Sequence, residues 1–171
     1  DHAIKCVSKS VYDDGILRKY TQEEWNKIDS YMDHDRDMLF TYAGLRQVVD
    51  KYLVQDRSCG EMYETPQYMY MMIAATLFQN YDEGRIKYVK DYYDAISQFY
   101  ISLPTPVMAG VRTATRQFSS CVLIESGDSL DSINATSTSI VRYISKKAGI
   151  GIGAGSVRAA GARVGDGALV H

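Results

Sequence analysis

Residues 116–136, RQFSSCVLIESGDSLDSINAT, constrain the fold more than any other part of the chain. Phe118, Ser119, Ser120, Cys121, Val122, Leu123 and Ile124 form a short apolar and small-residue run that suits a buried strand of a parallel sheet. Ser126-Gly127-Asp128-Ser129 supplies the turn after it, since glycine tolerates any φ and Asp or Ser takes an N-cap position. A helical pattern then runs from about 130 to 146, with Leu130, Ile133, Ile140, Val141 and Ile144 near helical spacing. Residues 148–155, AGIGIGAG, fit a returning strand, so the whole reads as a βαβ unit with a right-handed crossover. In such units the loops at the carboxyl ends of the strands are expected to carry the chemistry.

The chain before this unit reads differently. Residues 1–50 have apolar side chains at three- and four-residue spacings, and Thr21-Gln22-Glu23-Glu24 has the form of a capping box. Asp33-His34-Asp35-Arg36-Asp37 reads as a solvated turn with His34 on the surface. The period changes over 51–65, where Asp56 to Gly60 predicts a hairpin turn with Cys59 exposed in it. Pro66 opens a helix running to about 81, crowded with Tyr, Met and Ile and therefore buried on most sides, and a second helix spans 84–100. Leu103-Pro104-Thr105-Pro106 is read as the end of the helical part. The fold class is α/β, with a helical domain at 1–115, a hairpin near 51–65, and the βαβ unit at 116–171. Strand structure is expected to about 155, with a mobile loop over 156–166.

Nineteen Lys and Arg against 21 Asp and Glu give a net charge of −2, which argues against a nucleic-acid partner. No apolar run approaches the roughly 20 residues of a membrane helix, and the N-terminus has no signal pattern, so a cytoplasmic location without a membrane partner is expected. Three cysteines are too few, and odd in number, for a disulfide-stapled secreted domain. No metal site is expected.

The 116–136 stretch, together with Ser102-Leu103-Pro104-Thr105-Pro106 and Lys147-Ala148-Gly149-Ile150-Gly151, resembles the large, catalytic subunit of class I ribonucleotide reductase. Asp33-His34-Asp35-Arg36-Asp37, Lys51-Tyr52-Leu53 and Tyr88-Val89-Lys90 extend the resemblance over nearly the whole chain, which would then be a piece of that subunit without its N-terminal ATP cone. The resemblance implies a helical N-terminal region followed by the first βαβ of a ten-stranded α/β barrel, left incomplete here. It implies reduction of ribonucleoside diphosphates to deoxyribonucleoside diphosphates. No cofactor is bound directly: the metal centre of the small subunit supplies the radical, and a dNTP or ATP acts as allosteric effector. The implied partners are that small subunit, the remaining large subunit, a second copy joined through the effector-site helices, and thioredoxin or glutaredoxin as reductant. The competing reading is a non-catalytic nucleotide-binding or assembly module of a split subunit.

Each site residue has a plainer reading beside the implied one. A lone cysteine in an apolar strand is most often a small hydrophobe; the resemblance makes Cys121 one of two reducing thiols, its partner lying on a later strand. Thr105, Ser119 and Ser120 offer hydroxyl donors to an anion or merely satisfy local backbone. The resemblance assigns Thr105 and Ser120 to the substrate's diphosphate and ribose, with Ala148 and Gly149 lining that pocket, and leaves Ser119 structural. Asp128 is ordinary N-cap chemistry, whereas the resemblance places the effector at Asp128, Ser129 and Leu130, with Asp128 on the ribose hydroxyl. Arg158 is implied on the effector phosphates. The family's second arginine of that loop falls at Gly165, with Arg163 as its substitute two residues earlier.

Overall fold

The computed structural model describes residues 2–115, 117–164 and 168–169, which fall into two compact units, Asp1–Phe118 and Ser119–His171. The first is helical: α1 (His2–Ser8), a 3-10 turn (Asp14–Arg18), α2 (Gln22–Ser30), a second 3-10 turn (His34–Leu39), α3 (Tyr42–Lys51), the antiparallel strands β1 (Gln55–Asp56) and β2 (Glu61–Met62), α4 (Pro66–Phe78), α5 (Arg85–Ser97) and α6 (Thr105–Gly110). Helix α4 is its core. Thr65 Oγ1 accepts from the Tyr68 N–H, and Pro66 occupies the first turn, where its missing donor costs nothing. Beyond that cap, residues 69–75 are all buried, each large side chain contributing about 1.5–3 kcal/mol. A helix apolar on every face is stable only when wrapped, and α5 provides the most extensive wall. The capping box at α2 forms as the sequence predicts, with Thr21 and Glu24 bonding each other's backbone N–H.

Two readings of the helical part are corrected. The 33–37 run is only partly solvated: His34 and Asp35 are exposed, but Arg36 donates to Asp94 and Ser97, both at 2.7 Å, and Asp37 accepts from Gln67 at 2.9 Å. The 3-10 turn leaves its first charges in solvent and turns Arg36 and Asp37 inward, which a linear charge count cannot reveal. Nor do Pro104 and Pro106 end the helical part. They open α6, since proline is excluded from helix interiors and tolerated in the first turn.

The second unit contains β3 (Cys121–Glu125), α7 (Leu130–Ile144), β4 (Gly149–Gly153), β5 (Arg163–Val164) and β6 (Ala168–Leu169). Strands β3 and β4 are parallel, with Cys121 opposite Gly149, Leu123 opposite Gly151 and Glu125 opposite Gly153. Helix α7 packs on this pair, giving the βαβ unit. The strand expected to be buried is not: residues alternate between exposed and half-buried, and Leu123 is 86% exposed. Residues 156–164 are also more than a loop, because β5 pairs with β6 and Arg158 is tied to Asp128; Asp166 lies outside the described residues.

Candidate functional site

The parallel pair has two chemically different ends. At its amino end, Cys121 is the first residue of β3 and is exposed. The Gly149 N–H donates to the Ser120 carbonyl at 2.8 Å, which brings Ser120, Cys121, Ala148 and Gly149 together. A Cβ on Gly149 would lie 3.6 Å from that carbonyl and 3.7 Å from Cys121 Sγ, so the missing side chain is what leaves the thiol's flank open. Ser120 Oγ stands 3.9 Å from the sulfur. The row continues, since Gly151 and Gly153 face Leu123 and Glu125 across the sheet, and β4 presents bare backbone along this side. The thiol thus stands at the amino end of the pair, the opposite end from the loop that holds the acid.

Past the carboxyl end of β3 lies the acid. Asp128 does not cap α7; Ser129 does, its Oγ accepting from the Ser132 N–H at 3.1 Å. Released from that task, Asp128 accepts from the Arg158 backbone N–H at 2.9 Å and from Arg158 Nε at 2.6 Å. Arg158 Nη2 also reaches the Asp128 carbonyl at 3.2 Å, and Nη1 the Arg163 carbonyl at 2.8 Å. The Arg158 backbone N–H, and then its guanidinium, hold the Asp128 carboxyl below the usual carboxylate range. Leu130 is 86% exposed beside this clasp, and the Arg163 side chain is exposed too. Gly165 lies outside the described residues. Five strand residues rise about 3.3 Å each, so the thiol and the acid are on the order of 15 Å apart.

Thr105 belongs to the first unit, half-buried at the start of α6, with Oγ1 at 3.2 Å from the Tyr52 hydroxyl. That unit also holds Cys6, fully buried with its thiol pushed up by burial, and Cys59, exposed in the hairpin turn. A cavity of about 610 Å³ in this unit, walled by Tyr20, Trp25 and Tyr68, contains none of these candidates. Sequence reasoning missed a buried cluster in the same unit: Arg112 donates to both Glu64 oxygens and Tyr12 donates to Glu64. The one signal in the sequence was a charge closing an apolar run, Val107 to Val111 followed by Arg112.

Residues 38–116 match the family described as ribonucleotide reductase, all-alpha domain, and residues 119–170 match ribonucleotide reductase, barrel domain. The chain belongs to the ribonucleotide reductase large-subunit family. Ribonucleoside-diphosphate reductase 1 subunit alpha of Escherichia coli (strain K12) is 58% identical over 172 residues, covering 100% of this chain and 23% of that protein. The subunit alpha of Enterobacteria phage T4 is 53% identical over 171 residues, again 100% of this chain and 23% of its relative. That of Treponema pallidum (strain Nichols) is 32% identical over 149 residues, 87% of this chain and 18% of that protein. The chain thus spans about 23% of the length of the first of these ribonucleotide reductase relatives. No helix among its described residues is long and apolar enough to cross a membrane.

Proposed function

We propose that this chain forms part of a ribonucleoside-diphosphate reductase large subunit, in which the two ends of the β3–β4 pair serve two nucleotides. The amino end takes the substrate. Cys121 and a second thiol supplied by the rest of the subunit give up two electrons and two protons as they become a disulfide; the ribose C2′–O bond breaks, and the oxygen leaves as water. A small subunit supplies the radical that starts this exchange. Ser120, Ala148 and Gly149 border the thiol, and Thr105 contributes a hydroxyl for the diphosphate. The observation that carries the reading is the exposed Cys121 thiol beside a glycine that leaves its flank bare.

The carboxyl end takes the specificity effector, a dNTP or ATP. Asp128 accepts from its ribose hydroxyl, with Ser129 and Leu130 beside it, while Arg158 and Arg163 present guanidinium groups to its phosphates. A second copy joins through α7, whose Leu130, Ile133, Val141 and Ile144 are exposed. Thioredoxin or glutaredoxin returns the disulfide to thiols. The non-catalytic alternative is not favoured, because the relatives carry the reductase name.

The test is Cys121→Ser in the full-length large subunit, assayed with its small subunit. Dithiol-dependent multiple turnover is expected to vanish while nucleotide binding persists, because a hydroxyl cannot form a disulfide. Normal multiple turnover in that variant would sink the assignment.

A further inference from the structure

Among the described residues, Thr105 Oγ1 has one hydrogen-bond partner, the hydroxyl of Tyr52 at 3.2 Å, and distance alone lets either oxygen be the donor. The surroundings of Tyr52 favour one direction. Its residue is buried, and its backbone is fixed from both sides: the N–H donates to the Val48 carbonyl at 2.9 Å, and the carbonyl accepts from Arg112 Nη2 at 2.9 Å. Arg112 is itself locked on Glu64, so the phenol is held in place. Gln47 Nε2 donates to the same hydroxyl at 3.4 Å. An amide NH₂ has no lone pair to offer, so here the phenol oxygen accepts. Its single proton then has one acceptor among the described residues, Thr105 Oγ1. A threonine hydroxyl that already accepts keeps its own proton to give away, and hydrogen bonds in such a chain polarise one another.

We propose that Tyr52 is a positioning residue that orients the Thr105 hydroxyl as a donor toward a diphosphate oxygen of a ribonucleoside diphosphate. The order of donation is Gln47 to Tyr52, Tyr52 to Thr105, and Thr105 to the anion. This rests on Thr105 being a substrate contact, as read above.

The experiment measures steady-state reduction of cytidine diphosphate by the full-length large subunit with its small subunit. Tyr52→Phe is expected to raise KM about 3- to 10-fold, the scale of one neutral hydrogen bond, with the loss falling on KM rather than kcat. Thr105→Val raises KM at least as much, and Thr105→Ser restores it. The double variant Tyr52→Phe/Thr105→Val is no worse than Thr105→Val alone, since both act through one hydroxyl. Gln47 is exposed, so Gln47→Glu leaves the packing intact, and its carboxylate accepts the phenol's hydrogen bond. Thr105 must then donate to Tyr52, and KM rises as in Tyr52→Phe. Additive losses in the double variant, or a normal KM in both Tyr52→Phe and Gln47→Glu beside a raised one in Thr105→Val, overturn the positioning role. An unchanged KM in Thr105→Val overturns the substrate contact itself.

Discussion

Arg112 is 0% exposed, among the largest side chains buried so completely, and it survives there because every face of its guanidinium meets an acceptor. Nε and Nη2 bond Glu64, Nη1 bonds the Met108 carbonyl and Nη2 also reaches the Tyr52 carbonyl. Burial alone would loosen the guanidinium's proton; the Glu64 carboxylate more than reverses that. Glu64 in turn accepts from Tyr12 and from the Val54 N–H at 2.7 Å. Removing one member leaves the other charge buried and unpaired. Glu64→Ala or Arg112→Ala is therefore expected to cost about 3–5 kcal/mol in urea unfolding, while Glu64→Met/Arg112→Met together cost much less than the two single losses summed. Cys121, Asp128 and Arg158 were singled out through a resemblance carried by motifs read along the chain. Such motifs could not reach this cluster, whose members lie 48 and 52 residues apart and are joined only by the fold.

At the scale of elements, the turn between β3 and α7 is held by divided labour. Ser129 caps the helix, and Gly127 donates to Ser132 Oγ at 2.7 Å, which leaves Asp128 to close on Arg158 across 30 residues. The turn and helix were legible from residue chemistry alone; which of the adjacent Asp and Ser would cap was not, because either oxygen suits the position. A carboxyl with a depressed folded-state pKa contributes stability that is complete above the unfolded value, about 3.9, and is lost as pH falls through the folded one. Carboxyl-carbon NMR is expected to place the Asp128 midpoint below 3.9, and Arg158→Ala to move it upward without erasing the shift, because the backbone N–H remains. In the full-length subunit, Asp128→Ala is expected to weaken effector binding by about tenfold and substrate binding far less, the loss of a charge-assisted bond. Equal losses, read by equilibrium dialysis with each nucleotide, would place Asp128 at the substrate or in the fold.

At the scale of the molecule, the two units differ in how much of themselves they cover. The first buries residues 69–75 of α4 on every side, whereas the second leaves Leu123 and Ile152 more than half exposed on a sheet of two strands, a number that is marginal in water. In hydrogen exchange on the 171-residue chain, amides of residues 69–75 are expected to be slow, and those of 122–124 and 150–152 fast. Strong protection of both strands in a monomer would refute the difference. Parallel pairing was readable from the apolar run, the turn and the return, and so was its exposure, since two strands alone leave unpaired edges and apolar faces that a closed barrel would cover. The buried ion pair bears on how such a chain is made. A nascent chain that has delivered Glu64 but not Arg112 carries a carboxylate with no countercharge for the apolar interior it must enter. The packing around α4 is therefore expected to wait on residue 112, so that truncated nascent chains ending before it stay protease-sensitive and those extending past it become resistant together.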